Sequence, residues 1–330
     1  MIVNGRFVHS EPGGFRRYAL EVSSRLPDVT VAAPPKRLAR GAAGKVWEQT
    51  ALLSEAKGDV LWSPVGSGPI RHKHHMVTIH DVASFRQDGA VGGRFAAAQR
   101  WLVPALVDAA QLVVVDSQAV ADDLTERFKI SSDRMSVVAP GISEVFREVG
   151  QMSRTDARVE FGPERLGTDR ERPLIGGLVS SIPRKNSAAV LDALGTLVVS
   201  GEADAVVAGW DGPSRVFGRQ RRPSSPLVAD LGALTERDLA LFYRCLDVFV
   251  WLPSYEGFGL PIVECAAVGT PVVCTPMPAA VEQVGQDVAM ARDVEEAVSA
   301  VRRLLADRSA AVDMAERAAV AVADLTWDLT

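Results

Sequence analysis

Short apolar runs rich in valine alternate along this chain with longer segments whose apolar positions recur every three to four residues. The first pattern suits strands buried on both faces, and the second suits amphipathic helices. In the first half the runs predict strands at Met1–Phe7, Val29–Ala33, Asp59–Val65, His75–His80, Leu112–Asp116 and Met135–Ala139. Helical spacing lies between them at Phe15–Leu26, Val46–Ala56, Gly93–Ala109 and Ala119–Phe128. The second half repeats the rhythm, with strands at Leu174–Val179, Ala205–Ala208, Val248–Trp251 and Pro271–Cys274. Its helices are expected at Ser187–Val198, Glu236–Leu246, Pro261–Ala267 and Val294–Leu305. Such alternation describes an α/β chain, with doubly wound parallel sheets covered by helices on both faces.

The rhythm breaks at Glu148–Pro173, a polar stretch carrying Gly150, Gly162, Pro163 and Gly167. It reads as a linker between an N-terminal domain over residues 1–147 and a C-terminal domain over residues 174–330. A length of 330 residues accords with two domains. Doubly wound sheets bind ligands outside the carboxyl ends of their strands, so two of them predict a ligand cleft.

Composition narrows the class. Hydrophobic residues make up 47% and charged residues 23%, with net charge −5, as in a soluble globular protein. The acidic balance speaks against a nucleic-acid partner. Cys245, Cys265 and Cys274 are too few and scattered for a disulfide framework or zinc ribbon. No apolar run is long enough to span a bilayer, and the first ten residues hold no signal-like core. The expected home is the cytoplasm, with room for peripheral contact on the inner face of a membrane.

The most informative stretch is DVFVWLPSYEGFGLPIVECAAVGTPVVC, Asp247–Cys274. A buried strand runs into a loop, and Pro261 then opens a helix, the position proline prefers. Gly257 and Gly259 let the backbone pass close to a ligand. The amides of Gly259, Leu260 and the first helical turn form an anion site suited to a diphosphate. Glu256 lies on the loop and Glu264 on the first turn of the expected helix. On one helix the eight-residue spacing would put these carboxylates about 12 Å apart. A glycosidase pair needs roughly 5–9.5 Å. A loop and a helix could bring them closer, so spacing leaves open a hydrolytic pair, two ordinary charges or a ligand site.

Four further segments carry candidate chemistry. Ile182–Asn186, IPRKN, follows a strand and places Arg184 and Lys185 where they can neutralise a diphosphate; alternatively it is a solvated loop with Asn186 or Ser187 capping the next helix. Gly13–Tyr18, GGFRRY, is either a tight turn or a loop admitting a phosphate or sugar hydroxyl. Thr78–Asp81, TIHD, puts His80 at a strand's carboxyl end, with Asp81 as a candidate cap. Thr235–Asp238 reads as a capping box. Arg71–His75, RHKHH, crowds three histidines but offers no Cys or carboxylate partner, so a solvated turn is favoured over a metal site. Arg215, Arg219, Arg221 and Arg222 form a basic loop, read as solvated or as meeting an anionic acceptor or lipid head group.

The block EGFGLPIVE, with its trailing GTPVV, resembles the Glu-x7-Glu signature of glycosyltransferase family 4. IPRKN, GGFRRY and TIHD resemble that family's other loops, and the likeness runs over nearly the whole chain. The resemblance implies a GT-B fold, two facing Rossmann-like domains with the nucleotide-sugar between them. It implies that Glu264 holds the ribose hydroxyls and Glu256 the donor sugar. The amides of Phe258, Gly259 and Leu260 would meet sugar and diphosphate. Lys185 would bind phosphate; relatives carry a strand arginine where Val179 stands, so Arg184 or a first-domain arginine would supply the second charge. Gly13, Gly14 and Arg17 would cover the diphosphate, His80 would approach the sugar and the incoming hydroxyl, and Gly232–Leu234 would touch the nucleobase. Relatives continue beyond a tryptophan like Trp327 into a last helix that crosses back to the first domain; here the chain reads only LTWDLT.

The implied activity is retaining hexosyl transfer from a nucleoside-diphosphate sugar to a hydroxyl of a glycan, glycolipid or small molecule. GDP-mannose is the favoured donor and a UDP-sugar the second. No further cofactor is implied. The chain has no Asp-x-Asp pair, so cations and a helix N-terminus would do the work of a metal. The rivals are a sugar phosphorylase or nucleotide-sugar epimerase on the same architecture, and a non-catalytic nucleotide-sugar binder. A dehydrogenase is disfavoured because no GxGxxG follows a strand.

Overall fold

The computed structural model describes residues 1–10, 13–85, 93–167, 172–209 and 224–330. Its internal contacts separate two compact units. The first comprises the described residues up to 85, Gly93–Gly141 and Trp327–Thr330; the second comprises the described residues of Ile142–Thr326.

The first unit is built on six parallel strands: β1 (Ile2–Asn4), β2 (Thr30–Ala32), β3 (Leu61–Ser63), β4 (His75–Ile79), β5 (Leu112–Val115) and β6 (Met135–Val137). Their order is β2-β1-β3-β4-β5-β6. Val3 of β1 pairs with Val31 on one side and Trp62 on the other. The chain winds one way from β1 to β2 and the other way from β3 onward, so the topological switch lies between β1 and β3. Val113 and Val115 are fully buried, which is why that run shows no polar alternation. One core cluster gathers Val3, Phe7, Tyr18, Ala19, Val22 and Trp62, and Trp327 completes it from the far end of the chain.

The single helix expected over Val46–Ala56 is two helices, Gly41–Gln49 and Ala51–Glu55. Thr50 breaks them apart at φ −130°, ψ −83°. Its Oγ1 donates to the Val46 carbonyl at 2.8 Å, the side-chain competition that makes threonine a poor helix interior.

The second sheet holds β7 (Leu174–Leu178), β8 (Asp204–Ala208), β9 (Ala229–Asp230), β10 (Val248–Trp251), β11 (Val272–Cys274) and β12 (Ala289–Met290). These strands too are parallel, in the order β12-β11-β10-β7-β8-β9. The switch lies between β7 and β10. Gly176 and Gly177 of β7 are steric requirements, because a Cβ on either would sit 2.7 Å from a neighbouring strand's carbonyl oxygen.

The stretch expected as a linker, Glu148–Pro173, is instead helical over Arg154–Phe161 and Pro163–Leu166 and belongs to the second unit. Two of its charges bind rather than solvate. Arg154 and Arg158 reach the two oxygens of Asp247 at 3.0 and 2.9 Å, and Asp247 also accepts from the Leu174 amide at 2.8 Å. The chain leaves the first unit after Gly141 and re-enters it at Trp327. The two passages run side by side: the Ile142 amide donates to the Leu325 carbonyl at 2.7 Å, and Arg147 donates to the carbonyls of Ile142 and Leu325 at 3.0 and 2.8 Å. Among the described residues no helix is long and apolar enough to cross a membrane.

Candidate functional site

In the second unit the chemistry gathers at the carboxyl ends of β7 and β10, the switch point where doubly wound sheets bind ligands. After β7 the chain makes a short turn, Pro183–Lys185, which ends at Asn186 in the left-handed region, φ 50°. Neither Asn186 nor Ser187 caps the following helix with its side chain. Ser187 Oγ turns back instead, accepting from the Ser180 amide at 2.8 Å and donating to the Ser180 carbonyl at 2.9 Å, which locks the loop.

That loop and the one after β10 are stitched together. The Ser254 amide donates to the Arg184 carbonyl at 2.8 Å, and Arg184 Nη1 donates to the Tyr255 carbonyl at 3.0 Å. The same Nη1 reaches Glu256 Oε2 at 3.0 Å, and Lys185 Nζ donates to Glu256 Oε1. Lys185 also lies 5.2 Å from the centre of the buried Trp251 ring. Glu256 is 8% exposed. Burial alone would push its carboxyl up; the two cations outweigh that and hold it below the usual carboxylate value. Two cations thus flank one carboxylate.

Just beyond, Gly259 adopts φ 95° and precedes the helix Leu260–Ala267, with Pro261 in its first turn. The first amides of a helix have no partner within it, so this end is electropositive. Phe258 is buried beside it. Glu264 is the fifth residue of that helix, one turn deeper than the first-turn position expected, and is 3% exposed. Tyr243 Oη donates to its Oε2 at 3.4 Å. Leu234 is half-buried, ahead of the Thr235 cap, whose Oγ accepts from the Asp238 amide at 3.1 Å as the capping box predicts.

The first unit gathers two of the predicted motifs into one cluster. His80 is 6% exposed, with both ring nitrogens engaged. Nε2 lies 2.7 Å from the Pro64 carbonyl, which can only accept, so Nε2 carries a proton. Nδ1 lies 2.7 Å from Asp116 Oδ2. Burial disfavours the imidazolium, but the Asp116 carboxylate and the Pro64 carbonyl outweigh it and raise the pKa above the ordinary value. With Nε2 committed to the Pro64 carbonyl and Nδ1 to the Asp116 carboxylate, the ring is an electrostatic and positioning group, with no free lone pair to act as a base. Phe15 stacks on it at 4.6 Å and Tyr18 meets it edge-on at 4.8 Å. Gly13 and Gly14 start the helix that carries both aromatic rings, so GGFRRY and TIHD form one assembly. Asp81 accepts from the Ala83 amide at 3.0 Å as a local cap.

The three histidines of RHKHH part company. His72 bonds the Ala56 carbonyl at 2.9 Å, His74 lies 3.4 Å from Gln111 Oε1, and His75 meets Ser63 Oγ at 2.9 Å. Burial pushes His75 down to about 4, so it is neutral. The basic loop Arg215–Arg222 lies outside the described residues. Asp116, which orients His80, escaped the sequence reading; its only signal was a carboxylate ending the strand next to TIHD.

Two family models match the chain. Residues 8–145 match Glycosyltransferase Family 4, and residues 174–307 match Glycosyl transferases group 1. An MMP alpha-(1->4)-mannosyltransferase of Mycolicibacterium hassiacum is 29% identical over 209 residues, 59% of this chain and 45% of that protein. A D-inositol 3-phosphate glycosyltransferase of Corynebacterium efficiens is 29% identical over 181 residues, 51% of this chain and 41% of that protein. The matched regions thus span under half the length of these curated relatives. Anabaena Alr3699/HepE in complex with UDP superposes with a TM-score of 0.72 at 15% identity, covering 99% of this chain and 95% of that one. The lipopolysaccharide-biosynthesis glycosyltransferase WaaG gives 0.71 at 17% identity, covering 98% and 94%. The fold is the GT-B fold of these glycosyltransferases.

Proposed function

The chain belongs to the group 1, family 4 glycosyltransferases, and on that premise we propose that it moves a hexose, with retention and without a metal, from a nucleoside-diphosphate sugar to an acceptor hydroxyl. The observation that carries the reading is the buried Glu256 between Arg184 and Lys185, beside the electropositive end of the helix Leu260–Ala267. This group has the charge to hold a diphosphate and the carboxylate to bind a sugar hydroxyl.

In this reading Glu264 binds the ribose hydroxyls, and the backbone at Gly232–Leu234 touches the base. Lys185, Arg184 and the amides near Gly259 stabilise the charge that grows on the departing diphosphate, usually the largest catalytic contribution. An oxocarbenium-like sugar forms, and the acceptor hydroxyl attacks on the face the diphosphate leaves. The departing phosphate oxygen takes the proton. A His80 with both ring nitrogens engaged and its pKa raised by Asp116 suits this route, since no base is asked of it; held by Asp116, it polarises a donor or acceptor oxygen electrostatically. Gly13, Gly14 and Arg17 cover the diphosphate.

GDP-mannose is the preferred donor, supported by the mannosyltransferase among the relatives, and a UDP-sugar is second, supported by the UDP complex among the structural neighbours. The acceptor is a glycan, glycolipid or small molecule. Three buried cysteines with free thiols support a cytoplasmic setting.

The test is a thermal-shift screen of GDP, UDP, TDP and ADP followed by turnover of the matching donor sugar. A true ligand at 100 times its Kd adds roughly 2.7 kcal/mol. Turnover is expected to survive excess EDTA; abolition with rescue by magnesium or manganese overturns the metal-free mechanism. Tight nucleotide binding with no transfer to any acceptor would favour the non-catalytic binder.

A further inference from the structure

The first unit holds a second cluster of one carboxylate and two cations, and it also lies at a switch point. Asn4 ends β1 and Ser63 ends β3, the two strands between which the winding reverses. Glu48, on the helix Gly41–Gln49, is fully buried beside them. Asn4 Nδ2 donates to Glu48 Oε1 at 3.0 Å, and Ser67 Oγ donates to the same oxygen at 2.5 Å. Arg6 Nη1 lies 3.0 Å from Glu48 Oε2, and Lys45 Nζ lies 3.7 Å from it. Both cations also donate to the one Ser67 hydroxyl.

The charges do not cancel. Arg6 and Lys45 carry two positive charges against one on Glu48, and the neighbouring His75 is neutral. Burial pushes the Lys45 pKa down to about 8 against the opposing pull of the Glu48 carboxylate, and the Arg6 charge adds to the fall. The donors are not all spent either. Lys45 has three N–H bonds and uses one on Ser67. Arg6 uses Nε on the Ala39 carbonyl at 3.3 Å and Nη1 on Ser67, while its Nη2 finds no acceptor among the described residues. The Lys45 side chain is 38% exposed and that of Arg6 is 16%, whereas the carboxylate beneath is sealed. Gly44 lets the guanidinium lie there, because a Cβ would stand 2.9 Å from Arg6 Nε.

We propose that Arg6 and Lys45 form a subsite for an oxyanion, phosphate or carboxylate, carried by the acceptor. The proposal rests on the transferase reading above for the word acceptor, and on the first unit alone for the anion. An anion at this place supplies the missing negative charge and takes the unspent N–H bonds in a fork that suits a tetrahedral or planar oxyanion. It is placed where the fold presents ligands, at the carboxyl ends of β1 and β3.

The experiment uses the full chain saturated with its nucleoside diphosphate, so that inorganic phosphate cannot report on the second unit. Lysine labelled with 13C at Cε gives six signals, one per lysine. The Lys45 signal is expected to titrate near pH 8 without phosphate and at a higher pH with it, and calorimetry is expected to show phosphate binding that Lys45→Met weakens at least tenfold. Lys45→Met is expected to keep nucleotide affinity and to match or exceed the wild-type Tm, since it removes an uncompensated charge and leaves Arg6 paired with Glu48. Acetate in place of phosphate separates the two sources of the oxyanion. A Lys45 signal unmoved by either anion, or phosphate binding that survives Lys45→Met, overturns the subsite. Nucleotide bound without phosphate overturns only the subsite; failure of every nucleotide to bind overturns the transferase reading, and the same Lys45 titration then judges the anion site alone.

Discussion

Glu48 in the first unit and Glu256 in the second are built from the same parts and held in different ways. Each is a buried carboxylate between an arginine and a lysine at the switch point of a doubly wound sheet. Among the described residues, Glu256 takes its side-chain bonds only from the two cations. Glu48 adds two neutral donors, Asn4 and Ser67, and is sealed from solvent. A carboxylate held by charge alone can trade a cation for a ligand hydroxyl at small cost, since the partners remain charge-assisted donors. A carboxylate fixed by a neutral network as well cannot turn without orphaning several groups. Glu256 therefore suits work on a ligand, and Glu48 suits a foundation under the cations above it.

The sharpest way to break this comparison is to remove each carboxylate. Glu48→Ala leaves the largely buried Arg6 without its counter-charge and orphans the Asn4 and Ser67 donors, and about 3–5 kcal/mol of folding stability should be lost; denaturant unfolding measures it, and a loss under 1 kcal/mol would show the network to be dispensable. Glu256→Ala should act on turnover instead. Transfer is expected to fall by two or more orders of magnitude, about 3 kcal/mol of transition-state stabilisation, with affinity for the bare nucleotide kept and affinity for the intact donor reduced. His80→Ala should show a similar fall in turnover, again with nucleotide affinity intact; near-normal turnover would confine the first unit to holding the acceptor. Smaller still is Glu264→Ala, where the lost ribose bonds should cost about 1.5–3 kcal/mol in nucleoside diphosphate affinity by calorimetry.

The smallest effects are in pH. Glu256 has a lowered folded pKa, so its contribution to stability is present above 4.5 and is lost as pH falls through the folded value. His80 has a raised one, so its contribution is complete below 6.5 and is lost as pH rises through the folded value. Unfolding followed across pH should show Glu256→Gln flattening the acid limb and Asp116→Asn flattening the limb above pH 6.5. An acid limb unchanged in Glu256→Gln would mean that other carboxylates dominate it.

What the sequence revealed divides along the same line. Arg184 and Lys185 are adjacent, and Glu256, Gly259 and Glu264 fall within nine residues, so one stretch of text carries most of the second-unit cluster. The first-unit cluster is drawn from Asn4, Arg6, Lys45, Glu48 and Ser67, which no window contains. Nothing local marks Glu48 as buried, because its helix shows an ordinary mixture of polar and apolar residues. His80 and Asp116 lie 36 positions apart and meet only because β4 and β5 pair. The alternation of strands and helices was legible from buried valines. The expectation for Glu148–Pro173 missed because composition reports charge without partners: Arg154 and Arg158 look solvated until Asp247, some 90 positions on, is folded against them.

The return of the chain at Trp327 also bears on synthesis. The core of the first unit draws on residues from both sides of the second unit in sequence, because Trp327 fills the core around Val3, Phe7 and Tyr18. The described sheet of the second unit lies wholly within Ile142–Thr326 and can close while that core still has a gap. Translation therefore allows the second unit to be completed before the first, and it leaves the nascent first unit with an unfilled apolar hollow the size of an indole until Trp327 emerges. A chaperone that recognises exposed apolar surface would find its target in the first unit.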